Sequence, residues 1–149
     1  MIPRTLYDSD HDMFRDSLRK FIQAEGMPNH EQWEKDGMVS DEIWLKAGEQ
    51  GFLCPMVPEE YGGVGTDFLY NCIVNEEIGR SGCTGLGWTL HNDITVPYIV
   101  RYGSEEQKQK YLPRCITGEL ITAIAMTEPG AGSDLQGTKT TAVLDGDHY

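Results

Sequence analysis

Basic side chains are scarce in this chain. Lys and Arg number 12 against 24 Asp and Glu, a formal net charge of −12. That balance excludes nucleic-acid binding, which draws on concentrated Lys and Arg. An anionic ligand has to be held by local backbone dipoles and a few cations, because the overall field opposes it. Cysteine is sparse as well. Cys54, Cys72, Cys83 and Cys115 form no C-x-x-C pair. With no secretory context they read as buried free thiols. His11, His30, His91 and His148 make no tight cluster with them, so no structural metal site is expected.

No apolar run approaches membrane-spanning length. The opening MIPRTLYDSD lacks the basic-then-apolar layout of a signal peptide and the acid-poor layout of a transit peptide. The expected location is the cytoplasm for a bacterial source, or the mitochondrial matrix for a eukaryotic chain stripped of its leader. A dinucleotide fingerprint is also missing. Gly63-Val-Gly65 reaches Phe68 where the third glycine belongs, and Gly130-Ala-Gly132 reaches Leu135. No Rossmann unit is expected.

Helical periodicity dominates what is present. Phe14, Leu18, Phe21 and Ile22 recur at helical spacing over 9–24, and Pro28 ends or bends that helix. Residues 29–37 around Trp33 are polar and suggest one short further turn. Ser40 caps a helix over 41–50 with acids in its first turn and Gly51 past its end. Residues 58–65 have loop composition. A mainly buried helix is expected over Thr66–Arg80, and another over 88–102 with a kink at Pro97. Ser104-Glu-Glu-Gln107 is a capping box opening a helix through Tyr111, after which Pro113 starts a second short turn ending at Gly118.

Beyond Gly118 the texture changes. Leu120–Met126 reads as a buried strand, and Lys139–Leu144 is rich in β-formers. Asp145-Gly146 is a hairpin dipeptide, with only three residues after it. A second hairpin strand has barely begun, so the chain reads as a piece of something larger. Residues 1–119 are assigned to a helical domain and 120–149 to the truncated start of a β domain.

The most informative run is AMTEPGAGSD, residues 125–134. It sets Pro129, Gly130 and Gly132 beside Thr127, Ser133 and Asp134. Glycines there let a ligand approach the main chain, exposed N–H groups cradle an anion, and hydroxyls add directed hydrogen bonds. A Gly-rich surface loop has the same composition. Glu128 invites the role of a catalytic base, though a structural or cofactor-positioning role suits it better. Asp134 reads as an Asx turn residue. His91 lies in an apolar segment as a satisfied core histidine. Trp33, Trp44 and Trp88 read as core or interdomain packing.

The run, continued by LQGTKTTA to Ala142, resembles the flavin-contacting segment of the acyl-CoA dehydrogenase family. PEEYGG at 58–63, YGSEEQ at 102–107 and KYLP at 110–113 are similar to the family's N-terminal helical domain. The wording TEPGAGSDLQGTK is nearest the long-chain branch. The resemblance implies a mainly α fold: the N-terminal helical domain of that type, followed by the first strands of a truncated β domain. It implies an FAD-dependent α,β-dehydrogenation of acyl-CoA, with electrons passed to an electron-transferring flavoprotein and a homo-oligomer at full length. Ile124, Ala125, Met126, Thr127, Glu128, Pro129, Gly130, Ala131, Gly132 and Ser133 would line FAD, with Ser133 also reaching acyl-CoA. No catalytic residue is assigned, since the family's base comes from a C-terminal part. An acyl-CoA oxidase fragment, or a helical interaction module without catalysis, remains the alternative.

Overall fold

The structure is a computed structural model that describes residues 5–149. Six α-helices account for most of it. They are α1 (Ser9–Phe21), α2 (Met27–Asp36), α3 (Asp41–Glu49), α4 (Phe68–Ser81), α5 (Val96–Tyr102) and α6 (Glu105–Thr117). Among the described residues, no helix is long and apolar enough to cross a membrane.

Helix α1 begins at Asp8, whose carboxylate accepts the N–H groups of Asp10 and His11 at 3.0 and 3.1 Å. Leu18 and Ile22 then face inward and are fully buried. Phe14 and Phe21 both lie against Phe52, with ring centroids 5.6 and 5.2 Å apart. Phe21 also meets Trp88, which meets Trp44 edge-on. Trp44 and Trp88 are therefore core residues, while Trp33 packs partly buried at the core's margin.

An ionic seam joins α1 to α4. Glu77 is almost fully buried and accepts from Arg19 at 2.8 and 2.9 Å and from Arg15 at 3.1 Å. Arg15 also donates to Glu76 at 2.7 Å. The Arg19 guanidinium, with Arg15 beside it, holds the Glu77 carboxyl below the usual range despite burial.

Pro28 and Pro97 do not break their helices. Each sits in the first turn of a helix that follows a π segment, Ile22–Gly26 before α2 and Leu90–Thr95 before α5. The residue before each proline donates five residues back, Met27 to Ile22 and Val96 to His91. The ring thus enters at a helix start, where a missing N–H costs little. The polar stretch around Trp33 is consequently the ten-residue α2, longer than its composition suggests.

Pro113 differs from expectation too. It lies inside α6, which runs unbroken from the Ser104–Gln107 capping box to the left-handed Gly118. Burial of Leu112 and Cys115 on either side holds the helix through it. Helix α6 crosses α3 at very short range. A Cβ on Gly48 would collide with the Thr117 carbonyl, and one on Gly118 (φ +78°) would lie 2.6 Å from the Trp44 carbonyl carbon. At Ser40 the side chain makes no capping bond, and the first turn of α3 relies on Asp41 and Glu42.

The expected strands carry no ladder. Leu120–Met126 is extended but unpaired, half-exposed in alternation instead of buried, and Lys139–Leu144 is exposed throughout. Without a neighbouring strand the backbone forms no ladder there, and the outward side chains stay in solvent. The described β pairs are two isolated bridges, Glu128 with Ala131 and Asp145 with His148. In the second, Gly146 (φ +66°) is the first central residue and Asp147 the second. That is one position later than an Asp-Gly centre, and it is the arrangement of a type II′ turn.

Candidate functional site

The chain leaves α6 through Gly118, and the Leu120 N–H closes back onto the Arg114 carbonyl at 3.0 Å. Two residues later it is fastened to the helical core. His91 is fully buried and its ring is satisfied on both sides. Nε2 donates to the Cys115 carbonyl at 3.0 Å. Nδ1 therefore accepts, from the Thr122 hydroxyl at 2.8 Å and with the Thr122 N–H at 3.3 Å. The Thr122 hydroxyl also contacts that of Thr95. Burial lowers the His91 pKa, which favours the neutral ring, and the Cys115 carbonyl fixes the tautomer. His91 is a satisfied core histidine whose partner is the run leading into the candidate site. Sequence spacing holds no signal for that pairing, since 31 residues separate the two.

From Thr122 the run emerges onto the surface. Ile124 is half-buried, and Ala125, Met126 and Thr127 are exposed. Glu128 and Ala131 then close a two-residue turn over Pro129 and Gly130. Glu128 N–H donates to Ala131 at 2.9 Å, and Ala131 N–H donates back at 3.1 Å. Ala131 is buried and its backbone is used by this turn, so it shapes the site without presenting a side chain. Gly132 and Ser133 follow in solvent.

Several donors here are uncommitted. Among the described residues, the N–H groups of Thr127, Gly130, Gly132 and Ser133 have no acceptor, and the Thr127 and Ser133 hydroxyls have no partner. Neither Gly130 nor Gly132 takes a positive φ, and a Cβ added to either would meet nothing within 4 Å. Nothing inside the described fold requires glycine at these two positions. A planar or anionic ligand lying against the backbone would require it.

Glu128 is not available as a base. One carboxylate oxygen accepts the Lys139 N–H and the other the Thr140 N–H, both at 2.9 Å. The Lys139 N–H first, then the Thr140 hydroxyl and N–H, hold its pKa below the usual carboxylate value. The sequence reading placed Glu128 in a structural or positioning role but had no signal for Lys139 and Thr140, which act through main-chain groups. Asp134 forms its turn differently from an Asx motif. Its backbone carbonyl, not its side chain, accepts, taking the Gly137 N–H at 3.0 Å. Among the described residues, no group of three or more His, Cys, Asp or Glu is placed to hold a metal ion.

Comparison with known proteins fits this arrangement. Residues 8–119 match the family described as acyl-CoA dehydrogenase, N-terminal domain. The mitochondrial long-chain specific acyl-CoA dehydrogenase of Sus scrofa is 53% identical over 146 residues, covering 98% of this chain and 34% of that protein. The crystal structure of an acyl-CoA dehydrogenase from Geobacillus kaustophilus is 55% identical with a TM-score of 0.91, over 97% of this chain and 38% of that one. An acyl-CoA dehydrogenase from Bacillus anthracis, solved in complex with FAD, is 39% identical with a TM-score of 0.88, over 99% and 25%. The chain thus spans about a third of the length of the curated relatives it matches.

Proposed function

Because the chain belongs to the acyl-CoA dehydrogenase family, we propose that residues 1–119 are its helical domain and residues 120–149 the start of its central β domain, with the flavin-contacting run at 124–133. The family match ending at residue 119 supports that division. The observation that carries the flavin reading is the turn at 127–133, with its free donors and two glycines the fold itself does not require. The relative solved with FAD supports the choice of ligand.

In this reading Ile124 to Ser133 lie along FAD. Thr127 donates to the pyrimidine edge through its hydroxyl or N–H, and Ser133 stands where FAD and acyl-CoA meet. Bound FAD would supply the hydride acceptor for α,β-dehydrogenation of the acyl-CoA. Donors fixed at the pyrimidine edge stabilise the negative charge that reduction places there. His91 and Thr122 hold the run against the helices so that these donors need not be ordered by the ligand. The proton-abstracting base, the electron-transferring flavoprotein contact and homo-oligomer contacts belong to the family's whole protein, cytoplasmic in bacteria and of the mitochondrial matrix in eukaryotes.

A flavin titration tests this. FAD is added to the 149-residue chain while fluorescence quenching and the visible spectrum are followed. Weak, saturable binding is expected, lost in Thr127→Ala and Ser133→Ala, with no turnover of acyl-CoA. A folded chain that never saturates would overturn the flavin reading and favour a helical interaction module.

A further inference from the structure

We propose that Glu128 is a positioning residue: its carboxylate closes the 128–140 loop and thereby fixes the separation of Thr127 and Ser133. The proposal rests on the flavin reading above for its functional meaning, while its geometry stands apart from it.

Glu128 makes four hydrogen bonds that tie three points of the loop together. Its backbone is paired both ways with Ala131, and its two carboxylate oxygens take the consecutive N–H groups of Lys139 and Thr140. Carboxylate-to-amide bonds are stronger than neutral ones because the acceptor is ionised. Little else shapes the segment. Leu135, Val143 and Leu144 are exposed and contribute no core, and Ala131 is the one buried hydrophobic side chain described beyond Leu120. The remaining ties are main-chain turns, Gly137 N–H to Asp134 at 3.0 Å and Thr138 N–H to Leu135 at 3.3 Å. The Glu128 bonds are the side-chain hydrogen bonds that hold 128–140 among the described residues.

Closure matters because of what flanks it. Thr127 precedes the clamp and Ser133 lies inside the loop it closes. A chain of this length without a core samples many shapes, and each ligand-bound shape has to be selected from them. The clamp removes most of that choice in advance. It also explains why a carboxylate occupies a run expected to contact an anionic cofactor. Its charge is taken up by the Lys139 and Thr140 amides across the loop.

The test compares wild type with Glu128→Ala, Glu128→Gln and Glu128→Asp by amide hydrogen exchange, thermal midpoint and FAD titration. Protection of the Lys139 and Thr140 amides is expected in wild type and lost in Glu128→Ala. Protection of the Glu128 and Ala131 amides, the hydrogen-bonded ones within 127–133, should fall with it, while the thermal midpoint of the helical core is unchanged. FAD affinity should drop roughly ten- to a hundredfold, the range for bonds to a charged group. Glu128→Gln, which keeps the length and one acceptor, should retain more affinity than Glu128→Asp, which keeps the charge but is one methylene short. Unchanged amide protection in Glu128→Ala would overturn the proposal. So would lost protection with full FAD affinity, or Asp outperforming Gln. If no form binds FAD, wild type included, the flavin reading fails by itself. The exchange data then decide alone: protection lost at the Glu128 and Ala131 amides upholds the closing role, and loss confined to 139–140 refutes it.

Discussion

Gly48 and Gly118 in the helical part have crowded neighbours, whereas Gly130 and Gly132 in the exposed run have none. A Cβ at Gly48 would collide with the Thr117 carbonyl and lie 2.8 Å from the Ile116 oxygen. A Cβ at Gly130 or Gly132 would meet open space. The first pair is needed by the fold, because α3 and α6 touch backbone to backbone. The second pair is not, so its requirement has to come from something that approaches from outside. Stability and ligand binding are thereby separated onto different residues of one chain, and substitutions can address them one at a time.

Gly48→Ala should give the largest effect, a loss of about 3 kcal/mol in urea unfolding, since overpacking here meets backbone and not a movable side chain. A stable variant would mean that α3 and α6 are not held so closely. Glu77→Ala should follow at about 2 kcal/mol, because Arg19 loses its charged hydrogen-bond partner while Arg15 keeps Glu76. Double-mutant cycles with Arg19→Met would show coupling if the seam is as described. Gly130→Ala and Gly132→Ala should do the reverse. Stability should change by less than about 0.5 kcal/mol, or rise slightly through a stiffer unfolded chain, while FAD binding weakens markedly. Equal losses of both would break the comparison.

The smallest effect is on pH dependence, where two buried histidines oppose each other. Burial draws the His11 pKa down, but hydrogen bonds to Asp8 and Asp67 outweigh it and the net shift is upward from 6.5. Its stabilisation is complete below pH 6.5 and is lost as pH rises through the folded value. His91 is shifted downward by burial, so its contribution is present above pH 6.5 and is lost as pH falls below it. Denaturation midpoints measured from pH 5 to 8 should therefore lose their alkaline slope in His11→Gln and their acid slope in His91→Gln. Parallel changes in both variants would contradict these assignments.

Much of the helical part was legible because its signals are local. The stripe of Phe14, Leu18, Phe21 and Ile22 and the Ser104–Gln107 box each lie within a few turns of chain. What failed to show was decided at a distance. Helix α2 is polar, and its N-terminal proline is made tolerable by a π turn that no periodicity announces. Pro113 reads as a breaker until the burial of Leu112 and Cys115 is known. The TEPGAGSD run was legible as a donor-rich turn, since its glycines and hydroxyls are adjacent in sequence. The devices that hold it were not. Thr122 is held by a histidine 31 residues away, and Glu128 is engaged by main-chain groups that every residue but proline possesses. Strands were expected from β-forming composition, yet composition cannot supply a ladder partner.

The π segments also set angular phase. A π turn is an α-helix carrying one surplus residue, and one residue corresponds to about 100° of rotation about the axis. The stripe that buries Leu18 and Ile22 in the first half is therefore not inherited by α2, which has no fully buried residue and packs Trp33 only at the margin of the same core. In the π segment before α5, His91, Asn92 and Thr95 are all buried, a polar face turned toward the core. Inserting a residue is usually regarded as damage to a helix. In this chain it turns the buried stripe of α1 away from α2, and a second such segment carries the His91 and Thr95 side chains that receive Thr122.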